Sequence, residues 1–362
     1  MLFALVGNAL WNNPINIDGM SLSHVQFDDL MHLAHQQTVS GLVVNALINN
    51  KVKLERRDVL SMLAVKEKLR RSNIMLLDAV NSFCSLLSNH EIRFVVVKGQ
   101  TIAALYPDPY ARTPGDVDSY VCPQDFEKAM AVIKEYWQPS DISFTALSKH
   151  FAFSHEGVEF EMHRRLIDFL SKRNRDYWQR LFDTALDRNL HQIVVNQKPI
   201  PVFNATLNVL YVFVHLYMHL LILGVGLRQF CDVAILLHGY KDDIDVQMLK
   251  AHLDGINCYN AFCAIGAVLV DCIGMPADSF PFTIEPFHRN YTASILNAVF
   301  KRGNFGMHNR KIQHAGWLHS IETGFVTINH CLSFYKLSPR EIAALVPNQI
   351  VQSVKTNLLR MG

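Results

Sequence analysis

Three hydrophobic textures follow one another along the chain. Residues 1–89 place apolar side chains at helical spacing, most clearly over 55–89, where Leu69, Leu76, Val80, Phe83 and Leu87 recur on one face. From residue 90 the period shortens. Residues 92–97 (IRFVVV) form a short β-branched run, as expected of a strand buried on both faces. A helix is predicted over 100–106, a turn-rich loop over YPDPYARTPG, a second strand over 116–121 (DVDSYV) and a helix over 124–136. Residues 150–155 and 158–163 then read as a hairpin around Glu156-Gly157. After residue 205 helical spacing returns, with helices predicted near 205–223, 227–239, 245–254, 258–273, 288–301, 315–335 and 339–360. The expectation is an α+β protein: a helical region over 1–89, a small mixed sheet within a core over 90–204, and a helical domain over 205–362.

Composition narrows this picture. Half of the 362 residues are hydrophobic and 18% are charged, which argues against disorder. The net charge of +2 does not suggest general DNA binding through phosphates. Lys51, Lys53, Arg56, Arg57, Lys66, Lys68, Arg70 and Arg71 read as a solvated face, with a phosphate-facing surface as the alternative. Residues 205–226 have the length of a membrane span, but Asn208, His215 and His219 interrupt them, so a buried core helix is expected and no span. Seven scattered cysteines without a CxxC pair fit reduced thiols and a cytoplasmic location.

The candidate chemistry lies on the strands. Asp116 and Asp118 are two apart in a strand pattern, so their side chains leave one face. Two carboxylates directed together repel unless a cation lies between them, which suits a hard divalent ion. Alone, Asp-x-Asp is a weak signal. Over 158–163, however, Val, Phe and Met alternate with Glu159, Glu161 and His163, so a second strand can bring a third acid. Three acids around two Mg²⁺ ions, with Mn²⁺ as a substitute, are suited to phosphoryl transfer. Lys98-Gly99 closes the first strand and opens a helix, where backbone N–H groups and an ammonium can meet phosphate oxygens.

The run VVVKGQTIAALYPDPYARTPGDVDSYV resembles the uncharacterised nucleotidyltransferase family of the polymerase-β superfamily. The later EFEMHRRL looks like that family's acidic-x-His strand, and LRQFCDVAILL like its Leu-Arg…Asp segment. The resemblance implies Asp116, Asp118 and Glu161 as catalytic metal ligands, with Glu159 as the substitute if the register differs. It also implies Lys98, Gly99, Gln100 and Arg112 around an NTP, and Arg228 and Asp232 lining the nucleotide or acceptor cleft. The usual Gly-Ser after the first strand is Lys-Gly-Gln here, and the third acid is Glu rather than Asp.

Several residues keep a plain structural reading beside the functional one. Arg112 is a phosphate ligand or a salt-bridge partner. Arg228 and Asp232, four apart, suit an intrahelical pair. His215 and His219 share a helix face without the Glu of a zinc motif and read as core or site-lining groups. The loop 301–311 (KRGNFGMHNRK) reads as solvated or as binding an anionic acceptor. The expected activity is transfer of an NMP to an unidentified acceptor: a small molecule, a protein or an RNA. The alternatives are an inactive nucleotide-binding regulatory module, a toxin-like nucleotidyltransferase, and a helical nucleic-acid-binding scaffold.

Overall fold

The computed structural model describes residues 1–15, 20–144, 150–188, 190–303, 327–345 and 347. Four helices open the chain: α1 (Leu2–Trp11), α2 (His24–Gln36), α3 (Ser40–Asn49) and α4 (Arg56–Asn89). Ser23 and Gln26 form a capping box that starts α2. The strands are β1 (Phe94–Val97), β2 (Val117–Val121), β3 (Ser140–Ser143), β4 (His150–His155) and β5 (Val158–His163). They form one mixed sheet in the order β1-β2-β5-β4-β3, with β2 and β5 parallel and the other neighbours antiparallel. Between the strands lie α5 (Gln100–Ala103) and α6 (Phe126–Trp137). The chain continues through α7 (Lys172–Arg188) and a separate hairpin of β6 (Leu190–Val195) and β7 (Lys198–Phe203). Helices α8 (Ala205–Ile222), α9 (Leu227–Gly239), α10 (Val246–Gly255), α11 (Tyr259–Asp271), α12 (Pro286–Arg289) and α13 (Thr292–Arg302) follow. Short helices at 327–333 and 339–345 close the described part.

The alternation within each strand divides the sheet between two cores. Phe94, Val96, Val117, Val121, Phe151, Phe153, Val158, Phe160 and Met162 pack with Leu76, Val80, Phe83 and Leu87 of α4 and with α6. The other face meets the larger core, which draws on α1–α3, on Val95, Val97 and Tyr120 of the sheet, and on α8, α9 and α11. Helix α4 serves both cores, since Met62 near its start packs in the larger one. Gly41 of α3 lies so close to the loop after α5 that a Cβ there would sit 2.2 Å from the Ala111 carbonyl oxygen.

Helix α8 has the length and apolarity of a membrane span, and 78% of it is buried inside the fold. Its apolar circumference is therefore satisfied by protein, as the interrupting polar residues suggest. None of the seven cysteines, all among the described residues, forms a disulfide. Helix α5 is shorter than the 100–106 expectation. Pro107 disfavours helical backbone at Tyr106, and the chain turns away. Strand β3, helix α7 and the β6–β7 hairpin are additions to the elements expected from the pattern. The predicted helices over 315–335 and 339–360 and the loop 301–311 fall largely outside the described residues.

Candidate active site

Register determines which acids meet. Val97 of β1 pairs with Asp118 of β2, and Asp118 pairs in parallel with Glu161 of β5. Asp116 immediately precedes β2 and Asp118 lies within it, both on the face away from α6. Carboxylate oxygens of Asp116, Asp118 and Glu161 lie within 4.8 Å of one another. Glu159, two residues earlier, points elsewhere: it accepts a hydrogen bond from Ser154 on β4. Glu161 is therefore the acid that joins the pair, and its cross-strand neighbour Ala152 takes little room.

The three acids differ in environment. Asp118 is buried, and both its oxygens are engaged: Lys98 Nζ lies 2.9 Å from Oδ2, and His163 Nε2 lies 3.0 Å from Oδ1. Burial opposes its ionisation, but the Lys98 ammonium and then the His163 contact outweigh it and hold the carboxyl at about 2. Asp116 stands exposed at the mouth of the site. The neighbouring Asp118 charge raises its pKa above the usual carboxylate value. Glu161 is lowered mainly by His163, whose Nε2 is 3.4 Å from Oε2. The His163 pKa is itself raised, because its hydrogen bonds to Asp118 and Glu161 overcome its burial. An acid raised by a neighbouring acid is a site with too few positive charges, so the donor set fits a divalent cation of oxygen preference.

Lys98 reaches Asp118 because the chain turns sharply after β1. Lys98 has φ 61° and Gly99 φ 54°. At Gly99 the nearest atom to an added Cβ would be the Asp116 carbonyl oxygen at 3.7 Å, so the glycine serves the backbone conformation more than the space. Lys98 Nζ also lies 3.1 Å from His215 Nε2 on α8, and its ammonium is held charged by Asp118 against the cost of burial.

A cavity of about 440 Å³ opens above these groups. Its lining includes Lys98, Gly99, Arg112, Gly115, Asp116, Asp118, Glu161, Arg228 and Asp232 on the polar side. Leu166, Ile167, Val212, Met218, Ile222 and Leu223 form an apolar wall. His215 and His219 also line it, their ring centroids 4.3 Å apart.

The cations are distributed differently from the sequence expectation. Arg228 and Asp232 are not an intrahelical pair. Asp232 instead takes both Nε and Nη2 of Arg112 at 2.8 Å, and the Tyr106 hydroxyl donates to it at 2.8 Å. Arg112 is thus a buried structural partner first, although its Nη1 has no hydrogen-bond partner among the described residues and the residue lines the cavity. Arg228 Nη1 donates to the carbonyls of Thr113 and Pro114, at 3.1 and 3.3 Å, and its buried Nε is unpartnered. Burial, and then the nearby Arg112 charge, lower the Arg228 pKa. Both guanidiniums thus keep unused donors close to the cavity, the property that suits an anion.

The Gln100 side chain is not brought to the cavity. It is buried and donates to Asn73 Oδ1 on α4 at 3.1 Å. Asn73 in turn donates to the carbonyls of Leu69, Tyr110 and Arg112 and so fastens the loop to α4. Sequence reasoning missed Asn73, and also His150 and Tyr211, which line the cavity. It placed His163 on the acidic face without assigning it a role, although its spacing from Glu161 was a usable signal. Nothing local in the sequence marks Asn73.

The sequence profile of the family described as uncharacterised nucleotidyltransferase matches residues 23–274. No curated protein matches the sequence. Among solved structures, an antigenic nucleotidyltransferase-like protein from Paracoccidioides brasiliensis is 14% identical, with 55% of this chain and 91% of that one covered and a TM-score of 0.34. The family match spans α2 to the end of α11, including every strand and all the acids and cations of the cavity. The chain belongs to the uncharacterised nucleotidyltransferase family.

Proposed function

We propose that the protein transfers an NMP from an NTP to an acceptor hydroxyl and releases pyrophosphate. The observation that carries this reading is the convergence of Asp116, Asp118 and Glu161 within 4.8 Å at a cavity that also holds Lys98, Arg112 and Arg228. Mg²⁺ held by the three acids, with Mn²⁺ as a substitute, supplies charge neutralisation at the α-phosphate and the departing pyrophosphate. Lys98, the turn at Gly99, Arg228 and the spare Nη1 of Arg112 receive the triphosphate oxygens. The acceptor oxygen attacks the α-phosphorus as the bond to pyrophosphate breaks, and Glu161 takes the acceptor's proton. Positioning and preorganised charge account for most of the rate enhancement.

The apolar wall of Leu166, Ile167 and Met218 is room for a base or for an apolar part of the acceptor. The test uses purified protein with each α-³²P-labelled NTP and Mg²⁺ or Mn²⁺, against RNA, protein extract and small metabolites. Label should enter one of these pools and be lost in the Asp116→Asn/Asp118→Asn variant. Equal labelling by that variant would overturn the assignment. Metal-dependent NTP binding without any transfer would favour a regulatory nucleotide-binding module instead.

A further inference from the structure

A second cluster of donors lies beside the carboxylates. His150 of β4 and His163 of β5 are direct cross-strand partners, and Glu161 precedes His163 by two residues on the same face. One ligand atom from each of His150, Glu161 and His163 lies within 4.8 Å of the others. His163 Nε2 and Glu161 Oε2 are already 3.4 Å apart. Two ligands of a tetrahedral ion with bonds of about 2.0–2.2 Å are separated by about 3.4 Å, so movements of side-chain size close the set.

The donor chemistry differs from that of the acid cluster. Asp116, Asp118 and Glu161 offer oxygen alone, which suits Mg²⁺. Two imidazoles and one carboxylate suit a borderline ion such as Zn²⁺ and leave a fourth position open. Asp118 Oδ1 faces the same Nε2 of His163, so an ion taken at that nitrogen replaces the His163–Asp118 hydrogen bond and leaves the Asp118 charge beside it.

We propose that His150, His163 and Glu161 form a site for Zn²⁺ or a similar borderline divalent ion. Because Glu161 belongs to both clusters, occupation of the histidine site withdraws a ligand from the acid site. Zn²⁺ then antagonises the Mg²⁺-supported reaction. That consequence rests on the nucleotidyl-transfer reading; binding itself does not.

The test is therefore a binding measurement on the full chain. Zn²⁺ is titrated calorimetrically in millimolar Mg²⁺, and Co²⁺ is used as the optical probe. One equivalent of Zn²⁺ should bind, and Co²⁺ should give the visible bands of a low-coordinate site with nitrogen donors. His150→Gln, which keeps polar bulk at a half-buried position, and Glu161→Gln should each weaken Zn²⁺ by at least about tenfold. Asp116→Asn should leave it nearly unchanged. Thermal unfolding in EDTA identifies any variant that has merely lost its fold. The site is refuted if no Zn²⁺ binds, if well-folded His150→Gln binds it as tightly as the parent protein, or if Asp116→Asn weakens binding as much as His150→Gln.

Discussion

Asp118 is held from both sides of its carboxylate, and Lys98 supplies the stronger hold. The folded carboxyl sits at about 2 against an ordinary value of 3.8. A folded value below the unfolded one stabilises the protein above the unfolded pKa. That contribution is lost as pH falls from about 4 towards about 2, and a gap of this size corresponds to about 2 kcal/mol. Lys98→Met leaves a buried carboxylate with only His163 as partner. We expect a loss of about 3–5 kcal/mol at neutral pH, a value typical of breaking one side of a buried pair. The Asp118 carboxyl should titrate at higher pH in a carbon-detected NMR titration, and acid unfolding should begin earlier. Unchanged urea stability together with an unchanged titration would mean that Lys98 is not the counter-ion inferred here.

At the scale of elements, the site depends on how the segment between β1 and β2 is fastened. Two distant helices hold it: α4 through Asn73 and α9 through Asp232. Asp232→Asn removes the charge that compensates Arg112 while preserving side-chain size. The buried guanidinium is then left with a neutral amide, at a cost of about 3–5 kcal/mol. Chemical denaturation should show this loss, and NTP binding should weaken because Arg112 and Gly115 are carried on the same loop. A variant as stable as the parent would show that the Arg112–Asp232 pair is replaceable. This pair also indicates where sequence reading stopped. Strands β2, β4 and β5 were legible because period-2 alternation is local, and with them came Asp116, Asp118 and Glu161. Partner choice among Arg112, Arg228 and Asp232 was not, because an i, i+4 spacing on α9 competes with a contact 120 residues away that only the fold creates. Helix α7 buries Trp178, Phe182, Ala185 and Leu186 at helical spacing, a signal present in the sequence but set among many charged residues, while β6 is largely exposed and β7 contains two prolines, so the hairpin gave no strong pattern.

At the scale of the whole molecule, the core of the C-terminal region reaches back to the entrance of α7. Glu341 is fully buried, and its carboxylate accepts from the Leu170 N–H at 2.6 Å, the Ser171 N–H at 3.2 Å and Asn174 Nδ2 at 3.1 Å. Arg340 adds hydrogen bonds to Asn174 Oδ1 and the Gly255 carbonyl. The acid therefore caps the start of α7 from about 170 residues away in sequence. The segment just before that cap contributes Leu166, Ile167 and Asp168 to the cavity wall. Helix α7 is tied to the sheet in turn, since Tyr120 of β2 donates to Asp183. Glu341→Ala leaves three donors without their acceptor at a largely buried site, and each such loss costs about 1–3 kcal/mol. We expect a drop in thermal stability well above that of a surface change, together with faster amide exchange at 170–174. Residues 166–168 should exchange faster as well, because the wall they form hangs from the same cap. If 170–174 lost protection while 166–168 kept theirs, the cap would hold α7 without shaping the cavity, and the apolar wall would be fixed by its own packing against α8.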